Sequence, residues 1–210
     1  MNILILGPQG SGKGTQARRV ASAFEMFYFD MGKYLRKLAE EDPEIDKIVN
    51  ERGAFLPENI SIPLALNYLS QKAKNRDGIF FDGFPRTIGQ LNALDVWLAE
   101  KNKKLDKVIF LKVSEDESIR RLSARRICKS CGRIYNLVTN PPLENNCACG
   151  GELDQREDDT PEAIRERLAW SNTLNKEILD EFKKRQILSE VDGERPIKQI
   201  TIEIMDLFKE

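Results

Sequence analysis

Histidine is absent from all 210 residues. With it go Ser-His and Cys-His nucleophilic machinery, histidine general bases and mixed Cys/His zinc sites. No apolar run approaches the length of a membrane span. Met1 opens directly onto the apolar segment Asn2-Ile3-Leu4-Ile5-Leu6 rather than a secretory leader, so the expected compartment is the cytoplasm, with no membrane partner. Net charge is scarce as well. The 33 basic and 34 acidic residues leave −1, which gives no global attraction to nucleic acid or anionic lipid. Cysteine is limited to four residues, at 128, 131, 147 and 149. Disulfide frameworks staple small secreted chains; four cysteines clustered in a chain of this size point to a metal instead.

Residues 7–15 read Gly-Pro-Gln-Gly-Ser-Gly-Lys-Gly-Thr, directly after the apolar run. A buried strand, a glycine-rich loop and a helix make a unit that grips phosphates. Backbone N–H groups form an anion nest, and the positive end of the helix adds to its field. Gly10, Ser11, Gly12, Lys13, Gly14 and Thr15 are the expected binding residues, with Lys13 carrying point charge to the β/γ-phosphates. The general pattern has Ser or Thr at position 14; here it is Gly, and Thr15 is the nearest hydroxyl. The segment predicts a nucleoside triphosphate site.

Apolar strand patterns occur at 2–6, 79–81, 107–113 and 187–191, with a weaker one at 26–29. Between them lie helical patterns at 13–24, 31–41, 44–52, 59–75, 87–101, 115–126, 160–185 and 196–208. Continuous apolar strands alternating with helices predict an α/β fold, a parallel sheet covered on both faces. Thr160-Pro161 supplies an N-cap and a proline at the first helical position. Two stretches break the alternation. Residues 31–75 hold three helical patterns with no strand, a helical insertion; residues 127–158 hold the cysteines and few core-like positions, a small excursion with its own staple. The remaining segments, 1–30, 76–126 and 159–210, form the expected core domain.

Strand 79–81 runs into Asp82-Gly83-Phe84-Pro85-Arg86-Thr87. An acid at the carboxyl end of a buried strand near a phosphate loop is placed to hold Mg²⁺ through water. Arg36, Arg86, Arg121, Arg125, Arg156 and Arg167 fall in five separate elements. Guanidinium forks suit bidentate phosphate binding, so converging arginines would spread positive charge over a transferring phosphoryl group.

The phosphate loop, Asp-Gly-Phe-Pro-Arg-Thr, Arg125-Arg126, Gln155-Arg156-Glu157-Asp158-Asp159 and Val191-Asp192-Gly193 together resemble the adenylate kinase family, in its long-lid, zinc-binding bacterial form. The resemblance runs through essentially the whole chain. It implies a P-loop NTPase-type parallel sheet with a helical monophosphate-binding insertion and a mobile lid. It also implies reversible transfer of a phosphoryl group from Mg-ATP to AMP, giving two ADP. By position, Lys13, Asp82, Arg86, Arg125, Arg156 and Arg167 would be catalytic. Arg121, Arg125 and Arg195 would join the loop on ATP, with Arg121 stacked on the adenine. Met31, Gly32, Arg36, Gly83, Arg86, Gln90, Arg156 and Arg167 would surround AMP, with Gln90 reading its base. Asp158 and Asp159 would lie in the lid-closing segment. A monomer is expected, with ATP, AMP and ADP as its partners.

The chain departs from the family at two informative places. Cys128-x-x-Cys131-Gly132 has zinc-knuckle spacing, but the second pair, Cys147-Ala148-Cys149-Gly150, is one residue shorter than the family's usual pair. Four thiols without histidine suit a closed, structural Cys₄ zinc site. Met31 stands where the family usually carries a threonine that helps recognise the AMP base. Loss of a hydrogen-bonding group can alter discrimination strongly, so a relaxed or non-AMP acceptor is the alternative within the class. An alternative from outside it is a nucleotide-dependent zinc-ribbon protein acting on nucleic acid. The near-neutral charge and the lack of a basic, aromatic-rich face around the cysteines weigh against that reading.

Overall fold

In a computed structural model the described residues are 1–48, 56–142, 146–155 and 159–208, without the side chains of 161–163, 166, 167 and 170–175. The first half runs β1 (Asn2–Leu6), α1 (Lys13–Ala23), β2 (Phe27–Asp30), α2 (Met31–Ala39), α3 (Pro43–Asp46), α4 (Glu58–Lys72), β3 (Ile79–Asp82) and α5 (Ile88–Ala99). The second half runs β4 (Lys107–Lys112), α6 (Glu115–Ser123), β5 (Arg125–Cys128), β6 (Ile134–Asn136), β7 (Leu153–Asp154), α7 (Pro161–Lys184), β8 (Leu188–Asp192) and α8 (Ile197–Asp206).

Five strands form a parallel sheet in the order β2-β3-β1-β4-β8. Every residue of β1 is buried, as a strand covered on both faces must be. Its side chains alternate between two cores. Ile3 and Ile5 join Ala17, Val20, Ile200 and Ile204 beneath α1 and α8. Leu4 and Leu6 join Leu69, Leu91, Leu94 and Phe182 beneath α4, α5 and α7. Phe80 and Phe81, both wholly buried, are split between the layers in the same way. Each such side chain contributes about 1.5–3 kcal/mol of burial free energy, so the register of this sheet is strongly specified.

That register places the chemistry. Ile5 pairs with Asp82, and Asp82 pairs with Asp30. Both carboxylates therefore end at the sheet edge where the loop after β1 begins, the usual ligand crevice of an open α/β sheet. The caps are local. Asp30 accepts from Lys33 N at 2.8 Å, Thr87 from Gln90 N at 3.2 Å and Ser114 from Glu117 N at 3.3 Å.

One expectation is corrected. The helical pattern read over 115–126 ends at Ser123, and Arg125 and Arg126 are strand residues paired with Asn136 and Tyr135. Three acids in the first turn and two arginines in the last suit the α6 dipole. The strand after it forms only through partners farther along the chain, which local periodicity does not register. The resulting antiparallel sheet, β6-β5-β7, occupies the excursion, where no strand was expected. The helix read over 44–52 is described as Pro43–Asp46, and residues 49–55 lie outside the described set.

Candidate active site

The loop after β1 and the first turn of α1 form the floor of a cleft of about 530 Å³. Gly12 is the N-cap of α1 in a left-handed conformation (φ 90°), and a Cβ there would meet nothing within 4 Å. Only glycine adopts that conformation at little cost, and the space above it is open to a ligand. Lys13 Nζ donates to the carbonyls of Gly7 and Pro8, each at 2.7 Å. Burial and the neighbouring Arg86 guanidinium hold its ammonium down to about 7, while Asp82 pulls the other way.

A carboxylate pair closes one wall. Tyr28 donates its hydroxyl to Asp82 Oδ2 at 2.9 Å and lies 3.2 Å from Asp30 Oδ2. Burial first, and Asp30 second, raise the Asp82 carboxyl above its ordinary value. Burial, Asp82 and Asp30 likewise push the Tyr28 phenol upward. A Cβ at Gly14 would sit 3.3 Å from Asp82 Oδ2. The residue that departs from the Ser/Thr pattern is thus the one on which the carboxylate packs.

The arginines converge on this space from separate elements. Arg36, Arg86, Arg120, Arg121, Arg125 and Arg195 all line the cleft. Arg86 donates from Nε to Gly83 O at 3.2 Å, and burial lowers its guanidinium from the ordinary value. Arg121 is clamped between Glu117 at 2.6 Å and Gly193 O at 2.8 Å. Arg125 forms a two-pronged pair with Asp159, at 2.8 and 2.5 Å. Arg195 pairs with Glu203 and lies 3.7 Å from Asp192.

Of the other predicted residues, Gly10, Ser11, Thr15, Gly32 and Gly83 line the cleft. Gln90 and Met31 are not on its wall. The Gln90 amide is buried; it accepts from Arg86 N at 2.7 Å and donates to Ser61 Oγ at 3.1 Å. Met31 is 4% exposed and packs in the apolar cluster of Phe29, Phe81 and Phe84. Arg156, Asp158 and the Arg167 side chain lie outside the described residues.

The four cysteines come together at the far side of the small sheet, all Sγ atoms within 4.8 Å of one another. Cys128–Cys149 and Cys131–Cys147 are each 3.5 Å apart, and Cys147–Cys149 is 3.4 Å. A tetrahedron with Zn–S bonds of about 2.3 Å has sulfurs roughly 3.8 Å apart, so the donor set suits that ion despite the shortened second pair. Gly132 (φ 68°) and Gly150 (φ 80°) turn the chain after each pair. The backbone N–H of Cys149 and the Tyr135 hydroxyl bring the Cys147 thiol down to about 6.

A family profile described as adenylate kinase matches residues 5–187. The chain belongs to the adenylate kinase family. It is similar to adenylate kinases of Archaeoglobus fulgidus (39% identical, covering 97% of this chain and 96% of the relative) and Methanocella arvoryzae (41%, 97% and 96%). It is also similar to that of Staphylococcus aureus (37%, 99% and 99%). The adenylate kinase sheet and phosphate loop are those described above. The enzyme class is nucleoside monophosphate kinase, with phosphoryl transfer from ATP to AMP, and the zinc-ribbon alternative is not favoured.

Sequence reasoning missed several residues of this adenylate kinase cleft. Asp30 and Tyr28 belong to its carboxylate wall, and Arg18, Tyr135 and Asn136 line it. One signal was present: β2, like β3, is an aromatic-rich run ending in Asp. Nothing local marked the others.

Proposed function

We propose that the cleft carries out reversible phosphoryl transfer from Mg-ATP to AMP by the residues named from sequence. The observation that carries this reading is the gathering of Lys13, Arg36, Arg86, Arg121 and Arg125 around one phosphate loop. The loop and Lys13 hold the triphosphate, with Arg121 and Arg195 at the donor end. Arg36 and Arg86 hold the acceptor phosphate, beside Gly32 and Gly83. Arg125, Arg156 and Arg167 neutralise the phosphoryl in flight. The attacking oxygen is already ionised, so no general base is needed and the missing histidine costs nothing. Rate then comes from in-line placement, charge neutralisation and exclusion of water.

Mg²⁺, when present, neutralises phosphate charge; Asp82, with Asp30 and Tyr28 beside it, is the group that would hold its water shell. Residues 31–75 form the acceptor-binding insertion, and 127–158 form the lid, whose first strand starts at Arg125. The four cysteines bind structural zinc there, since a closed Cys₄ set leaves no open position for catalysis. The buried Gln90 amide reaches the acceptor base on lid and insertion closure, and AMP is the preferred acceptor. The near-neutral charge supports a cytoplasmic monomer without nucleic-acid or membrane partners. Among the described residues no helix is long and apolar enough to cross a membrane.

The test is a panel of AMP, GMP, CMP and UMP with Mg-ATP, following diphosphate formation. AMP should dominate. A preference for another monophosphate would replace the acceptor assignment, and phosphate release without any acceptor would overturn the transfer reading.

A further inference from the structure

Strand β6 is three residues long and serves two places at once. Tyr135, its middle residue, packs with Cys128, Cys147 and Leu153 while also lining the nucleotide cleft. Its hydroxyl donates to Cys147 Sγ at 3.4 Å and accepts from Ala148 N at 3.0 Å. The next residue, Asn136, projects from the opposite face of the strand. Its Nδ2 donates to Arg121 O at 2.7 Å.

The two cysteine pairs differ in what surrounds their leading sulfur. Cys128 faces two backbone N–H groups, those of Ser130 and Cys131. Cys147, in the pair with a single intervening residue, faces the backbone N–H of Cys149 and the Tyr135 hydroxyl. A buried phenol needs a partner, and here its partners are the sulfur and the one peptide between the two cysteines. The hydroxyl therefore stands where the shortened turn lacks a second N–H.

We propose that Tyr135 is a positioning residue: its hydroxyl completes the shortened half of the cysteine site, and β6 links that site to the nucleotide cleft through Asn136 and Arg121. The proposal rests on the zinc reading given above. Groups that orient metal ligands from behind commonly contribute ten- to a hundredfold in metal affinity. Linkage also makes the coupling reciprocal: if the metal favours the nucleotide-binding arrangement of β6, nucleotide must favour metal retention.

The test compares the full-length wild type with Tyr135→Phe, which keeps the ring and its packing. Zinc affinity, measured by competition with a chromophoric chelator, should fall about tenfold or more in the variant. In the cobalt-substituted protein, the sulfur-to-metal charge-transfer band should move to lower energy, because a hydrogen bond no longer stabilises the sulfur electrons. ATP should slow zinc loss to the chelator in the wild type and do so less in Tyr135→Phe. Equal zinc affinity with an unmoved cobalt band would overturn the role of Tyr135 while leaving the zinc site standing. A wild type that holds no zinc would overturn the zinc reading and this inference together.

Discussion

Replacing Arg86 by alanine separates charge at the acceptor phosphate from architecture. The backbone N–H of Arg86, which Gln90 accepts from, survives the change, and so does the Thr87 cap of α5. The printed side-chain hydrogen bond that is lost goes to Gly83 O, a contact worth about 1 kcal/mol, or a melting shift of roughly 2–4 °C in a chain of this size. Catalysis should suffer far more. A preorganised cation aimed at developing charge is worth about 10²- to 10³-fold, roughly 3–4 kcal/mol. Arg86→Ala should therefore lose at least about a hundredfold in kcat/KM for the acceptor and keep its fold. The variant should also show a second effect, because Arg86 is the leading charge that depresses Lys13. Without it the Lys13 ammonium persists to higher pH, and the alkaline decline of triphosphate affinity moves upward. A coupled assay of ADP formation, thermal melts and titrations at several pH values read all three. Turnover within about twofold of wild type would refute the assignment of Arg86, and an unmoved alkaline limb would refute the electrostatic reasoning.

In the wild type, bound triphosphate favours the charged form of Lys13, whose value in the free protein is about 7. Affinity should therefore be full below that pH and decline as pH rises above it toward the higher bound-state value; calorimetric titrations that are flat from neutral to alkaline pH would contradict this. Cys128→Ser should release metal and lower the melting temperature, and strong chelators should do the same to the wild type. A melting point indifferent to chelators would remove the zinc staple.

Much of the fold could be read locally. The β1 run, the glycine-rich loop, Asp82 at the end of β3 and the Thr160-Pro161 start of α7 all announce themselves through neighbours in the chain, because burial periodicity and capping act over a few residues. The misreading at Arg125-Arg126 shows where such signals stop. Their strand exists through pairing with Tyr135 and Asn136, and no helix-period or strand-period pattern in the residues alone reports that partner. Met31 shows the same for a side chain. Its identity at a recognition position was plain, but its burial among Phe29, Phe81 and Phe84 depends on the packing of separate elements.

Residue order alone made this a phosphate-loop enzyme with a parallel sheet, an insertion and a cysteine-bearing excursion, since each of those is encoded by contiguous spacing. Folding in three dimensions decided that Asp30 lies beside Asp82 through in-register β2 and β3, and that arginines from distant elements face one cleft. It also decided that a cysteine pair one residue short still closes its tetrahedron, with Tyr135 behind it. The physical reason is that these are contacts between segments far apart in the chain, set by which faces must be buried together rather than by any local preference.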